Sequence, residues 1–313
     1  MHARPSKLVA YGSLALSMSL VGSYVALSKP LLTTFPVFLL ALLRFAIGAT
    51  AMAHWLKKPL SEPPLSSRTR WLLFFEAFFG NFLFSLCMLF GMRHTTAIAA
   101  GIIMSSIPAV VAALSWLWLK EQISWRSWTG IACAAVGVAI YSATKQGSLH
   151  TELSSPQEAH DAQVWLGNAL IFGAVVCEAT YAVIGKKLTG SIGAKRISAI
   201  INLWGLILVM PAGLWAATEF DFLSVTPGVW FLLLFYGLAA SVWTVWLWMT
   251  GLKSVAASQA GVFTVMLPIS SALTGVIALG ETLSGGQVVA FAIALAGVTI
   301  STLPGGGNAS SKR

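Results

Sequence analysis

Ten long apolar runs, separated by short polar or basic segments, organise the chain: residues 8–27, 35–55, 71–92, 95–119, 125–141, 164–185, 197–215, 227–249, 256–279 and 285–303. None alternates apolar and polar positions over about ten residues, as a lipid-facing barrel strand does. A continuous run of about 20 apolar residues fits a helix crossing a bilayer, because only a helix pairs its own backbone groups there. The pattern predicts ten transmembrane helices. Arg4 and Lys7 precede the first run as they would in a signal peptide. No small-x-small cleavage site follows, so the run is read as a span.

Composition agrees with lipid as the main solvent. Of the 313 residues, 57% are hydrophobic and only 9% charged, against about 25% charged in soluble domains; mean hydropathy is +0.81. This excludes a cytosolic enzyme, a disulfide scaffold and a disordered regulator. Net charge is +9, but the basic residues cluster between apolar runs, where membrane insertion and an anionic leaflet account for them; no nucleic-acid partner is expected. Cys87, Cys133 and Cys177 fall inside apolar runs without CxxC spacing. They read as packing residues, and neither a metal nor a cofactor is expected.

Lys and Arg placement sets the orientation. With the N-terminus inside, the inner segments hold Arg4, Lys7, Lys57, Lys58, Arg68, Arg70, Lys120, Arg126, Lys186, Lys187, Lys195, Arg196, Lys253, Lys312 and Arg313. The outer segments hold only Lys29, Arg93 and Lys145, while Glu152, Glu158, Asp161, Glu219, Asp221 and Glu281 lean outward. Both termini are expected in the cytoplasm of a cell-membrane protein.

The chain repeats at an offset of 160. Gly91, Ala97, Ala100, Gly101, Pro108, Leu119, Glu121, Ser124 and Gly137 match Gly251, Ala257, Ala260, Gly261, Pro268, Leu279, Glu281, Ser284 and Gly297. Earlier in each half, Tyr24 to Lys29 aligns with Tyr181 to Lys186 at offset 157. Apolar composition matches alanines by chance; it does not also match Pro, Glu, Ser and Gly in register. Five spans per half is an odd number, so the second half enters the membrane the other way up. Inverted repeats place a substrate path at their interface near the midplane.

The pattern G-x5-A-x2-A-G-x6-P-x10-L-x-E-x2-S-x12-G, present twice, resembles the EamA-type repeat of the drug/metabolite transporter superfamily. The resemblance implies a repeat over 1–143, an external linker over 144–162, a second, inverted repeat over 163–303 and a cytoplasmic tail over 304–313. It also implies export, of amino acids or related small metabolites, with multidrug efflux as the alternative substrate class. Span three, from Phe75 through Glu76 to Gly80 and Asn81, carries no signature that selects among substrates.

Ionisable residues at membrane depth are candidates for function. Glu178 is the sharpest, mid-span with Ala174, Tyr181, Ala182 and Gly185 on its face. A carboxyl there suits proton coupling or an ammonium group. Tyr24 and Tyr181 occupy equivalent positions and are expected on opposite sides of one cavity. Glu76, Tyr236, Trp243 and Thr264 complete the expected pathway, and Pro108 and Pro268 are expected to interrupt their helices as hinges. Arg44 and His54 are weaker candidates, the first for snorkelling or structural pairing. Glu121 and Glu281 are expected to fix turns, with Ser284 and Gln287 forming a capping box. His150, His160, Glu152, Glu158 and Asp161 read as a polar linker in preference to a metal site. No GxxxxGK[ST] motif or HExxH constellation is present, so a gradient-driven carrier of a small molecule is expected, not an ATPase or a membrane enzyme. A non-transporting sensor is the remaining class.

Overall fold

The computed structural model describes residues 7–58, 64–119, 157–188, 192–252 and 266–302, with Phe263 and a few positions between 128 and 140. Most of the fifth run, much of the linker, the tail and Thr264 lie outside the described residues. Every regular element among the described residues is helical. They are α1 (Lys7–Thr34), α2 (Val37–Ala51), α3 (Ser67–Ala77), α4 (Phe84–His94), α5 (Ala97–Met104), α6 (Ile107–Leu119), α7 (Gln157–Leu188), α8 (Ala194–Thr218), α9 (Pro227–Leu238), α10 (Thr244–Leu252), α11 (Met266–Leu279) and α12 (Gly285–Thr302).

Five stretches are long and apolar enough to cross a membrane: Leu8–Thr34, Ser67–His94, Ala162–Tyr181, Lys195–Thr218 and Pro227–Trp248. Val37–Ala51, Ala97–Val111, Met266–Leu279 and Gly285–Gly297 are shorter apolar helices. Large apolar side chains face outward around the bundle, among them Leu8, Leu117, Trp165, Phe231 and Ile277. That surface suits lipid and would be costly in water.

Three of the apolar runs carry interruptions, two of them with no proline to announce them. A π-helical turn over Phe78–Leu83 joins α3 to α4, and another over Ala239–Trp243 joins α9 to α10. Each admits an extra residue per turn and rotates the face that follows; such turns often sit at functional sites. They fall at corresponding places in the two halves, Gly80 being 160 positions before Ala240. The third interruption is Ser105–Ser106, between α5 and α6. Their hydroxyls donate back to the carbonyls of Ile102 and Ile103, each at 2.6 Å. Pro108 therefore sits in the first turn of a new helix, where its missing N–H is tolerated, and not in a helix interior.

The strongest helix pairings join the first half of the chain to the second: α1 with α11 and α10, α7 with α4 and α6, α2 with α8 and α9, and α5 with α11. Small residues permit the close approaches. A Cβ on Gly22 would strike the Leu267 carbonyl of α11, and Gly101 faces the Pro268 carbonyl at a Cβ distance of 3.2 Å. The small-residue face of Ala97, Ala100, Gly101 and Met104 is thus a buried packing face. One end of the bundle gathers Lys29, Thr95 to Ile98, Asn168 and Glu281. The opposite end brings Trp55 to Lys195, whose ammonium lies 5.4 Å from the ring centroid. The capping box at α12 forms as its spacing predicts: Ser284 N–H donates to Gln287 Oε1 at 3.0 Å, and Gln287 N–H donates to Ser284 Oγ at 3.3 Å.

Candidate functional site

Polar side chains from six helical stretches converge in the middle of the bundle. Tyr24 comes from α1, Arg44 from α2, Glu76 and Asn81 from α3 and its π-helical turn, Glu178 and Tyr181 from α7, Asn202 from α8, and Tyr236 and Ser241 from α9 and the second π-helical turn. Glu76 and Tyr236 stand 160 positions apart, so the two halves present a carboxyl and a phenol at corresponding places.

Arg44 anchors one side. It is 3% exposed, with Nη1 donating to Ser85 Oγ at 2.5 Å and Nη2 to Asn81 Oδ1 at 3.2 Å. Asn81 is held for this by its own Nδ2, which donates to the Ile201 carbonyl at 3.1 Å. Ser85 Oγ in turn donates to the Asn81 carbonyl. Asn202 Nδ2 donates to the Phe45 carbonyl at 3.0 Å, next to Arg44 on α2. A side chain of the second half thus grips the backbone of the first, and the reverse. The Phe45 ring lies 4.9 Å from the guanidinium carbon.

The tyrosines line the next layer. Tyr24 and Tyr236 meet edge to face, ring centroids 5.9 Å apart at 81°. Both feel the charge of Arg44. Tyr24 also feels Glu178, and Tyr181 interacts electrostatically with Tyr24, Glu76 and Glu178. The Tyr181 ring lies against Gly80, where any side chain would displace it. Glu76 is 1% exposed and its Oε2 has no hydrogen-bond partner; it and the half-buried Glu178 interact electrostatically. The cluster therefore grades from a cation, through phenols, to two carboxyls. Such a gradient can hold a dipolar solute or pass protons between acids.

Of the residues expected on the pathway, Tyr24, Glu76, Glu178, Tyr181 and Tyr236 come together here. Trp243 does not: it is 38% exposed and contacts Phe235 with centroids 5.8 Å apart. The π-helical turn explains this, because its extra residue carries Trp243 off the face of Tyr236, Ala239 and Ala240, all buried. His54 sits at the bundle end beside Trp55. Arg44 is central and hydrogen-bonded, so snorkelling is not its role. Asn81, Ser85, Asn202 and Ser241 complete the cluster with little signal in the sequence beyond a lone Asn within an apolar run.

Glu281 departs from its expected role. Its Oε1 accepts from Ala97 N–H at 2.8 Å and its Oε2 from Ile98 N–H at 3.0 Å, so it caps α5 in the other half of the chain. Lys29 Nζ lies 3.3 Å from the same Oε1.

The chain is similar to known proteins over nearly its whole length. A Bacillus subtilis protein named uncharacterized transporter YetK is 32% identical over 297 residues, covering 94% of this chain and 87% of the relative. An uncharacterized transporter of Archaeoglobus fulgidus is 25% identical, covering 92% and 96% of the respective chains. A solved crystal structure of a protein at 18% identity shares the fold, with a TM-score of 0.60 over 93% of this chain and 95% of that one. The EamA-like transporter family matches twice, over residues 8–143 and 165–303. With two matches that together span the helical bundle and the polar cluster within it, the chain belongs to the EamA-like transporter family.

Proposed function

We propose that this membrane protein is a secondary transporter that moves a small polar metabolite by alternating access, exporting amino acids or related compounds. The observation that carries the reading is the convergence of Tyr24, Arg44, Glu76, Glu178, Tyr181 and Tyr236, drawn from both halves, in the centre of an apolar bundle. Burying so many ionisable groups where lipid surrounds the fold is costly unless they serve a solute or a proton. Inverted five-span repeats account for the cross-half pairings: α1 against α10 and α11 mirrors α7 against α4 and α6. The corresponding π-helical turns fit the same two-fold relationship. In this reading the termini are cytoplasmic, and the end holding Lys29 and Glu281 is external.

Export as the direction rests on the family resemblance alone; amino acids as cargo rest on that resemblance and on the graded cation-to-carboxyl cluster. The purified protein in proteoliposomes tests the reading. Radiolabelled amino acids should undergo counterflow against an internal unlabelled pool. A protein that catalyses no counterflow of any amino acid, small organic acid or amine is not such a carrier.

A further inference from the structure

A guanidinium buried in a membrane protein needs its charge answered as well as its hydrogen bonds. The Arg44 donors meet only neutral acceptors, Ser85 Oγ and Asn81 Oδ1. Its Nε has no partner, and no carboxylate of the described residues reaches ion-pair distance of it. Glu76 and Glu178 are in the same cluster yet neither pairs with it. Two hydroxyls nearby are also buried without partners. Tyr236 OH is close enough to Arg44 to interact directly with it, but not in hydrogen-bond geometry. Ser241 Oγ follows five residues on, its side chain against Gly48, one turn along α2 from Arg44. The Asn202 amide meets the same Gly48, with its Oδ1 unpartnered.

One fixed cation with free hydroxyls beside it is a receptor for a single negative charge. We propose that Arg44, with the Tyr236 and Ser241 hydroxyls, binds the carboxylate of the transported solute. This rests on the transporter reading and names the chemical class of its cargo. The planar fork of a guanidinium matches a carboxylate, and one positive charge balances one negative charge. A phosphate dianion would leave charge unbalanced beside a lone arginine. The hydrogen bonds from Asn81 to Ile201 and from Asn202 to Phe45 hold the arginine in place before the solute arrives. Orientation is then settled in advance, which lowers the ordering cost of binding. The carboxyls Glu76 and Glu178 interact with Tyr181 in the same cluster and are the groups to which an ammonium of the same solute would turn.

Matched compounds distinguish the sources of the carboxylate. Thermal shifts of the full chain in detergent are measured with leucine, phenylalanine and serine, with the corresponding acids lacking the amino group, and with the corresponding amides. Compounds bearing a free carboxylate should stabilise the protein and their amides should not. Stabilisation by the amino acids alone names a zwitterion; stabilisation by the simple acids as well names an organic anion. Arg44→Gln should weaken binding by about a hundredfold and Tyr236→Phe by about tenfold. If Arg44→Gln does not fold, Tyr236→Phe and Ser241→Ala carry the test, since each removes only a hydroxyl. Amides as effective as acids, no shift with any carboxylate, or unchanged binding in variants that fold would overturn the site. Counterflow in proteoliposomes separates this from the transporter reading. Carboxylate-specific binding without counterflow would sink transport alone, and counterflow of the amides would sink the carboxylate site alone.

Discussion

Lys29 and Glu281, 252 residues apart in sequence, meet at 3.3 Å where α1 reaches the segment that follows α11. The same carboxylate takes the N–H groups of Ala97 and Ile98, so three elements close on one side chain. The first-turn N–H groups of a helix have no partners of their own, and Thr96 Oγ1 serves only that of Ala99.

Glu281→Ala should therefore cost about 1–3 kcal/mol, the range for leaving buried donors without an acceptor. Lys29→Met should cost less than about 1 kcal/mol, because its side chain is 36% exposed and the charge is screened. Thermal unfolding of both variants in detergent checks the order. Equal melting of Glu281→Ala and wild type would mean that the carboxylate does not hold the halves together.

The contact between α1 and α11 gives a second contrast. Gly22 faces the Leu267 carbonyl, the Ser270 hydroxyl and, at a Cβ distance of 2.7 Å, the Ser271 nitrogen. Gly12, on the same helix, has nothing within 4 Å. Gly22→Ala should destabilise by about 1–3 kcal/mol through overpacking. Gly12→Ala should stabilise by up to about 1 kcal/mol, since alanine loses less backbone entropy in a helix. Paired unfolding measurements decide it, and similar effects at the two positions would contradict the packing described.

Topology is open to a direct check. With cytoplasmic termini, a reporter fused after Lys58 should read as cytoplasmic and one after Ser224 as external. Both fusions on one side would break the alternation of spans that the inverted-repeat reading requires.

What could be read from the chain alone follows the range of the forces involved. Helices at the described apolar runs are legible in the sequence, because lipid permits little else over such lengths. So is the Ser284–Gln287 cap, which is local. Glu76, Glu178, Tyr24, Tyr181 and Tyr236 stood out because charge and phenol are conspicuous in apolar runs. The π-helical turns are not legible: an extra residue in a helix leaves no mark on hydrophobicity, so Trp243, expected on the pathway, lies away from it. The service of Asn81 and Asn202 to backbone carbonyls 120 and 157 residues away was hidden for another reason. It depends on which spans touch, which no run of sequence states. Arg44 was visible as a charge but not as a centre, since its neutral partners Ser85 and Asn81 lie on another span.

The break before Pro108 makes a kinetic prediction. Proline cannot donate to the Met104 carbonyl, and α5 ends at Met104. Pro108→Ala restores that donor, leaving only the back-bonded hydroxyls of Ser105 and Ser106 to weaken the helix. The variant should fold, melt no lower than wild type and transport more slowly, because a continuous span bends less readily. Initial counterflow rates measure this. Wild-type rates would make the proline a packing residue.

Glu178 carries the remaining question, whether the carboxyls serve a proton or the solute. It sits on α7 in electrostatic contact with Glu76, Tyr24 and Tyr181, while its equivalent at offset 157 is Val21. A carboxyl present in one half alone is the place to test for a step that the other half does not share. Glu178→Gln keeps the shape and removes the exchangeable charge. If the pair couples transport to protons, Glu178→Gln should exchange solute at the wild-type rate but fail to accumulate it under an imposed proton gradient. If Glu178 holds an ammonium group, affinity should fall by about tenfold or more for amino acids and stay unchanged for acids without the amino group. Glu76→Gln, in a group that is 1% exposed with an unpartnered oxygen, should reproduce whichever effect holds in weaker form if the two act together. Accumulation and affinity both at wild-type levels in Glu178→Gln, across the pH range in which the protein is folded, would leave the residue a structural one. The solute would then be recognised from the arginine side alone.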